Sequence, residues 1–195
     1  MNTAIRRKVP HHMTVDEFIA WAGDDRWQLV DGEPRAMAPA SATHGIIQAR
    51  LAFLLNQHLY ASGSPCIAAT EPAIVPRVRS RSNMRVPDVA VTCSQVEAGQ
   101  IALPEPVLVI EILSPNNEAE TWENVWTYVS IPSVQEVLVL RSASIAADLL
   151  RRRMDGTWPD EPIQIGRDDT LRLECIGLSC PLAELYTGTY LARGA

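Results

Sequence analysis

Two carboxylates occupy positions where a buried strand normally has none. Glu111 interrupts the continuous apolar run 107–113, which is followed by Ser114 and Pro115, and Asp88 opens a second apolar run that begins at Pro87. A buried carboxylate without a partner is destabilising by several kcal/mol, or its pKa shifts until the group is neutral. Such acids therefore need partners, and a divalent cation is a common one.

Only 23 positions separate Asp88 from Glu111, so two adjacent strands joined by a loop would place them side by side. With a backbone carbonyl, that of Ile112, the pair would form an oxygen-rich site suited to Mg²⁺ or Mn²⁺. Such a metal activates water and neutralises charge on a phosphate, which is the chemistry of phosphodiester hydrolysis. The alternatives are that Asp88 merely starts a strand after Pro87 and that Glu111 pairs with an arginine.

The composition of the chain excludes several classes of protein. The chain has 195 residues, 47% of them hydrophobic, and no apolar stretch of membrane-spanning length or signal-peptide type. We expect a cytoplasmic protein with no membrane partner. The four cysteines lack the spacing of zinc ligands, and Cys66 and Cys93 are expected to be buried thiols, because a chain of this length needs no disulfide framework.

The charge pattern gives no strong nucleic-acid signal by itself. The net charge of −6 excludes a generally basic binding surface, although Arg77, Arg79, Arg81 and Arg85 crowd one segment. A solvated loop is one interpretation of that segment. The other is phosphate contact, for which Arg85, next to the Pro87-Asp88 motif, and Arg81 are the candidates.

The hydrophobic pattern predicts helices that alternate with strands. Thr14 begins a capping box, Asp31-Gly32 favours a hairpin turn, and Ser41 or Thr43 caps a helix that runs to about residue 61. A further helix at 118–129 has the apolar stripe Trp122, Val125, Trp126 and Val129. Strands are expected at 27–30, 33–37, 66–75, 86–92, 107–113, 134–140 and 145–150, with weaker signals near Ile163 and Leu171 and a short helix at 181–185.

This order predicts an α/β fold of the mixed α+β kind, with a central mixed β-sheet flanked by helices and extra β-hairpins. We expect a flexible N-terminal arm at 1–13 and a single domain at 14–195. Its core would span about 14–150, and a C-terminal β extension would follow at 151–195.

Two helices carry further candidate site residues. His44 and Gln48 are four positions apart on the long helix and would face the same cavity, where Gln48 is a further candidate to bind nucleic acid. Thr121, Asn124 and Tyr128 form a second face of the helix at 118–129, for which a solvated face is the alternative. Trp122 and Trp126 are expected in the core or at a dimer contact.

The motifs together resemble the PD-(D/E)XK nuclease superfamily, and more closely the Uma-type restriction endonuclease family, which is widespread in bacteria. The resemblance spans about 14–150 and rests on Leu29 to Glu33, Pro39, His44, Val86 to Val89, Val109 to Pro115, Tyr128 and Ile131 to Glu136. It implies a restriction-endonuclease-like fold and cleavage of DNA that depends on Mg²⁺ or Mn²⁺. A homodimer is expected by analogy, since nucleases of this type often cut two strands with two sites.

Two positions depart from the family pattern. Members commonly carry an acid where this chain has Gln28, and a lysine where it has Asn124, four residues before Tyr128. Lys8 is the only lysine in the sequence, so no core lysine can substitute. The first interpretation is therefore a weak endonuclease with Asp88, Glu111, Gln28, His44 and Asn124 at its site. The alternatives are an inactive domain that binds nucleic acid or another protein, and a purely structural use of the acids.

Overall fold

The computed structural model describes residues 12–22, 26–115 and 118–194. The expected flexible arm therefore lies outside the described residues, except for its last two positions. Of these, Met13 is buried, and its N–H donates to the carbonyl of Gly32 at 2.8 Å. Met13 thus belongs to the folded part of the chain.

Over these described residues, the regular structure consists of three α-helices and ten strands, together with 3-10 helices at Glu174–Ile176, Leu182–Tyr186 and Tyr190–Gly194. The α-helices are α1 (Val15–Ala22), α2 (Ala42–Ala61) and α3 (Glu118–Tyr128). The strands are β1 (Trp27–Val30), β2 (Glu33–Ala36), β3 (Ile67–Thr70), β4 (Val89–Thr92), β5 (Pro106–Leu113), β6 (Glu136–Arg141), β7 (Ala146–Arg151), β8 (Ile163–Gly166), β9 (Thr170–Leu173) and β10 (Leu178–Pro181).

Six strands form the central mixed sheet in the order β3-β4-β5-β6-β7-β8. Strands β5 and β6 are parallel and are connected through α3, whereas the other neighbours are antiparallel. Strands β1 and β2 form one separate hairpin, and β9 and β10 form another. The prediction of a mixed sheet flanked by helices, with extra hairpins, is confirmed.

The two faces of the sheet bury different side chains because successive residues of a strand point in opposite directions. In β5, Leu108, Ile110 and Ile112 join a cluster with the apolar side of α2. Val109 and Leu113 join a second cluster with Val125 and Tyr128 of α3. Glu111, by the same alternation, lies on the α3 face.

Short local signals in the sequence produce the expected caps and turns. Thr14 and Glu17 exchange capping-box hydrogen bonds at the start of α1. Asp31 and Gly32 both have positive φ, 51° and 86°, as a tight primed hairpin turn requires. Ser41 is the residue that caps α2, since its hydroxyl accepts from the N–H of His44 at 3.2 Å.

Three expectations are wrong. Cys66 and Cys93 form a disulfide, because pairing of Ile67 with Thr92 brings the adjoining cysteines together. Strand β3 ends at Thr70 and not at 75, because the next residue, Glu71, has a φ of 49° and turns the chain. Trp126 is not in the core, since it is 51% exposed while α3 packs on the sheet through Thr121, Val125 and Tyr128; the alternative of a dimer contact stays a prediction.

None of the helices in the described part of the chain is both long and apolar enough to cross a membrane.

Candidate active site

A cavity of about 600 Å³ opens between β1, the start of α2, the start of β4, the end of β5, and α3. Its walls contain all six residues that the sequence predicts for metal binding and catalysis: Asp88, Glu111, Ile112, Gln28, His44 and Asn124. Arg26, Glu120, Thr121 and Ser142 also line it. Segments that are far apart in the sequence therefore meet in one place.

The pairing of β4 with β5 brings the two predicted acids together. Val89 pairs with Ile110 in antiparallel register, so Asp88 and Glu111 are the next residues along the two strands. Asp88 lies just before β4, where Pro87 precedes the strand, and this position lets its side chain reach the cavity. The prediction that these strands are neighbours is confirmed.

Both carboxylate oxygens of Asp88 have protein donors. Nε2 of His44 lies 2.7 Å from Oδ1, and the backbone N–H of Ile112 donates to Oδ2 at 2.6 Å. Because a carboxylate only accepts, Nε2 of His44 carries the proton in this contact. Gln48 adds a hydrogen bond from its amide to the Asp88 carbonyl at 2.9 Å. These contacts fix the orientation of the Asp88 side chain.

Glu111 is a buried acid that accepts a hydrogen bond from a neutral side chain. The Tyr128 hydroxyl donates to its Oε1 at 2.7 Å. Burial, followed by the neighbouring charge of Asp88, raises the pKa of Glu111 well above its ordinary value, and the bond from Tyr128 offsets only part of this. A cation beside the pair would reduce the repulsion and favour the charged form of Glu111.

Tyr128 stays a donor in this arrangement. Burial, followed by the charge of Glu111, raises the pKa of its phenol well above the ordinary value, so the hydroxyl keeps its proton. Tyr128 is fully buried, and its ring packs among Val109, Leu113 and Val125. The solvated-face alternative for this side of α3 is therefore wrong at Tyr128 and at the buried Thr121.

A hydrogen bond across the cavity connects β1 to α3. Gln28, which is 6% exposed, donates from Nε2 to Oε1 of Glu120 at 3.2 Å. Asn124 lies one turn further along the same helix and also faces the cavity. Both positions that depart from the family pattern thus lie in the cavity wall.

The residues predicted to bind nucleic acid lie elsewhere. Arg85 is only 2% exposed and does not line the cavity, and burial lowers the pKa of its guanidinium. This placement contradicts the expectation of a phosphate contact, because bridging of Arg85 to Ile74 holds it inside the fold. Arg81 is exposed on a turn outside the cavity wall, and Gln48 supports Asp88 instead of pointing into the cavity.

The donor set suits a hard cation but is small. No three His, Cys, Asp or Glu side chains among residues 12–22, 26–115 and 118–194 lie close enough to hold an ion together. Asp88 and Glu111 would therefore supply two carboxylates to an ion, and backbone oxygen and water would have to complete its coordination. Mg²⁺ accepts such a set, because it prefers oxygen ligands and keeps several waters.

Sequence reasoning missed two charged residues of the cavity, Arg26 and Glu120. Arg26 precedes β1 by one residue and forms an ion pair with Glu71. Arg26 and Gln28 are two positions apart, and side chains two positions apart on a strand lie on the same face. The sequence could therefore have indicated that Arg26 faces the same cavity as Gln28. Glu120 is four residues before Asn124, which is the helical equivalent of the same signal.

The arrangement of sheet, helices and cavity is that of a restriction-endonuclease-like fold. A family model described as "Uma2: Putative restriction endonuclease" matches residues 15–183, and the chain belongs to this family. The expected membership is confirmed.

Two individual proteins are similar to this chain. The uncharacterized protein slr1290 of Synechocystis sp. (strain ATCC 27184 / PCC 6803 / Kazusa) is 31% identical over 180 residues, which cover 90% of this chain and 92% of the relative. The crystal structure of a putative nuclease belonging to DUF820, from Anabaena variabilis ATCC 29413, aligns with a TM-score of 0.73 and 17% identity, covering 90% of this chain and 98% of that one. At that identity, the structural likeness shows the fold.

Proposed function

We propose that the protein is a divalent-metal-dependent endonuclease that hydrolyses phosphodiester bonds of DNA. The observation that carries the proposal is the pair Asp88 and Glu111, which face one cavity with the pKa of Glu111 strongly raised by burial and by the charge of Asp88. A protein retains such an arrangement where a cation or a catalytic role compensates for it. Membership of a family described as restriction endonucleases supports the same chemistry.

Asp88, Glu111 and the carbonyl of Ile112 would hold Mg²⁺ or Mn²⁺. The ion would lower the pKa of a bound water and neutralise charge on the phosphate. His44 and the Ile112 N–H orient Asp88, and Tyr128 orients Glu111, so both acids are fixed before an ion arrives. Such preorganisation reduces the reorganisation needed during the reaction.

Arg26 takes the place of Arg85 as the proposed phosphate contact. Arg26 lines the cavity and is about half exposed, whereas Arg85 is buried. Its ion pair with Glu71 is solvent-exposed, and such pairs stabilise a protein only weakly, so a phosphate can compete for the guanidinium. Arginine suits this role because it can bind a phosphate with two parallel hydrogen bonds.

The activity is expected to be weak. None of the described residues of the cavity wall is a lysine, and Asn124 can only hydrogen-bond where a lysine would also supply positive charge. Loss of one preorganised charge of this kind typically lowers the rate by about 10²–10³-fold. The alternative of an inactive nuclease-fold module that binds nucleic acid or protein is therefore an outcome of the test below.

Cleavage of a supercoiled plasmid with Mg²⁺ or Mn²⁺, against a chelator control, tests the proposal. We expect slow nicking that Asp88→Asn abolishes and that the matched surface change Asp160→Asn leaves intact. DNA binding should weaken in Arg26→Gln more than in Arg35→Gln, since Arg35 lies outside the cavity wall. Binding of DNA without cleavage under either metal would contradict the enzyme proposal and favour the inactive module.

A further inference from the structure

A third acid, Glu120, shares the cavity with Asp88 and Glu111, and a buried amide fixes its position. Gln28 lies on β1, and its Nε2 donates to Oε1 of Glu120 at 3.2 Å. Since Gln28 is more than nine-tenths buried, the strand and its packing hold the amide in place. One carboxylate oxygen of Glu120 is thus held by the protein in the cavity wall.

The neighbouring acids of α3 are used differently. Glu118 lies 3.6 Å from a guanidinium nitrogen of Arg141, and Glu123 lies 3.9 Å from one of Arg35. Within the described part of the chain, Glu120 has no Lys, Arg or His partner within 4.0 Å. Glu120 is exposed, so water solvates its charge, and the hydrogen bond from Gln28 is neutral.

We propose that Glu120 is the third carboxylate of the metal site, which it reaches through a metal-bound water, and that Gln28 is its positioning residue. This rests on the proposed function. We place a water between Glu120 and the ion because, among the described residues, no three His, Cys, Asp or Glu side chains are close enough to ligate one ion directly. Mg²⁺ and Mn²⁺ keep water ligands. Residues that hold the ligands of a metal typically contribute about 10–100-fold to its affinity.

Calorimetric titration of the full chain with Mn²⁺ tests the role of Glu120. We expect Glu120→Gln to weaken binding by about 10-fold. The matched control is Glu123→Gln, which makes the same change one turn away on the same helix and should alter affinity by less than about 2-fold. Equal affinities in the two variants would overturn the proposal.

A double-mutant cycle tests whether Gln28 acts through Glu120. Gln28→Asn keeps the amide but shortens its reach, and we expect it to weaken Mn²⁺ binding about as much as Glu120→Gln. The double variant should be no weaker than Glu120→Gln alone, because a positioning residue has no effect once its target is gone. Additive losses would overturn the positioning role, and thermal melts of each variant establish that the proteins compared are folded.

The outcomes separate this inference from the proposed function. If the wild type binds no Mn²⁺, or if Asp88→Asn leaves binding unchanged, the metal-dependent nuclease is contradicted. If Asp88→Asn abolishes binding but Glu120→Gln behaves like Glu123→Gln, the metal site stands and only the role of Glu120 is wrong.

Discussion

The Tyr128 hydroxyl donates to Oε1 of Glu111 at 2.7 Å, and both side chains are buried between β5 and α3. This bond connects the helix that crosses over the sheet to the acid that interrupts the central strand. It also gives Glu111 a neutral partner, so burial and the charge of Asp88 still raise its pKa.

Tyr128→Phe is expected to destabilise the protein by about 1–3 kcal/mol, because it leaves a buried acceptor without its donor. Its effect on the free energy of unfolding is measured by urea denaturation near neutral pH. Tyr60→Phe is the control, since Tyr60 is exposed on α2. A change no larger in Tyr128→Phe than in Tyr60→Phe would show that the bond contributes nothing to stability.

Glu111→Gln should change how stability depends on pH. The folded-state pKa of Glu111 is raised above 4.5, so the folded protein binds the proton more tightly than the unfolded chain. Without metal, the contribution of Glu111 to wild-type stability is therefore lost as pH rises from its unfolded pKa through its folded pKa. Glu111→Gln removes that loss, and Tyr128 can still donate to the amide oxygen. Urea unfolding with a chelator, from about pH 4 to about pH 8, should show the variant gaining on the wild type as pH rises. A difference independent of pH would contradict this.

His44→Ala should weaken Mn²⁺ binding by about 10–100-fold, as removal of residues that orient metal ligands commonly does. The reason is that Asp88 loses the partner of its Oδ1. His58→Ala is a matched control on the same helix, where His58 contacts the carbonyl of Ile176 and not the cavity. Equal effects of the two changes on affinity would remove His44 from the site.

Asn124→Lys should increase the rate of DNA cleavage by about 10²-fold, because it places a positive charge in the cavity wall. Gln28→Glu, which would restore the family's usual acid, should bring no such gain on its own. The new carboxylate would face Glu120 and replace the hydrogen bond that Gln28 now donates. Plasmid cleavage with Mg²⁺ measures both, and a folded Asn124→Lys variant without gain would show that its charge does not reach the phosphate.

The positions of Asp88 and Glu111 could be predicted because Glu111 interrupts a strand-length apolar run and Asp88 directly precedes another, patterns that depend only on local sequence. The Ser41 cap and the Asp31-Gly32 turn are predictable for the same reason. The burial of Arg85 could not be predicted, since it depends on how the segment before β4 bridges Ile74.

The disulfide and the exposed Trp126 were missed for a related reason. Pairing of Cys66 with Cys93 follows from the register of β3 on β4, which a single strand does not reveal. On α3, Thr121 and Tyr128 take the buried face because Tyr128 reaches Glu111, and Trp126 is left outside. Of the apolar stripe, Val125 is buried and Trp122 and Val129 pack against the core, whereas Trp126 lies outside.

Metal binding at Asp88 and Glu111 is the central claim, and crystals soaked in Mn²⁺ test it most directly. Anomalous difference density should show an ion at about 2.1 Å from a carboxylate oxygen of each acid, the distance expected for oxygen ligands of a small divalent cation. A parallel soak of Asp88→Asn should lack the peak. Soaked wild-type crystals without density between the two acids would contradict the account.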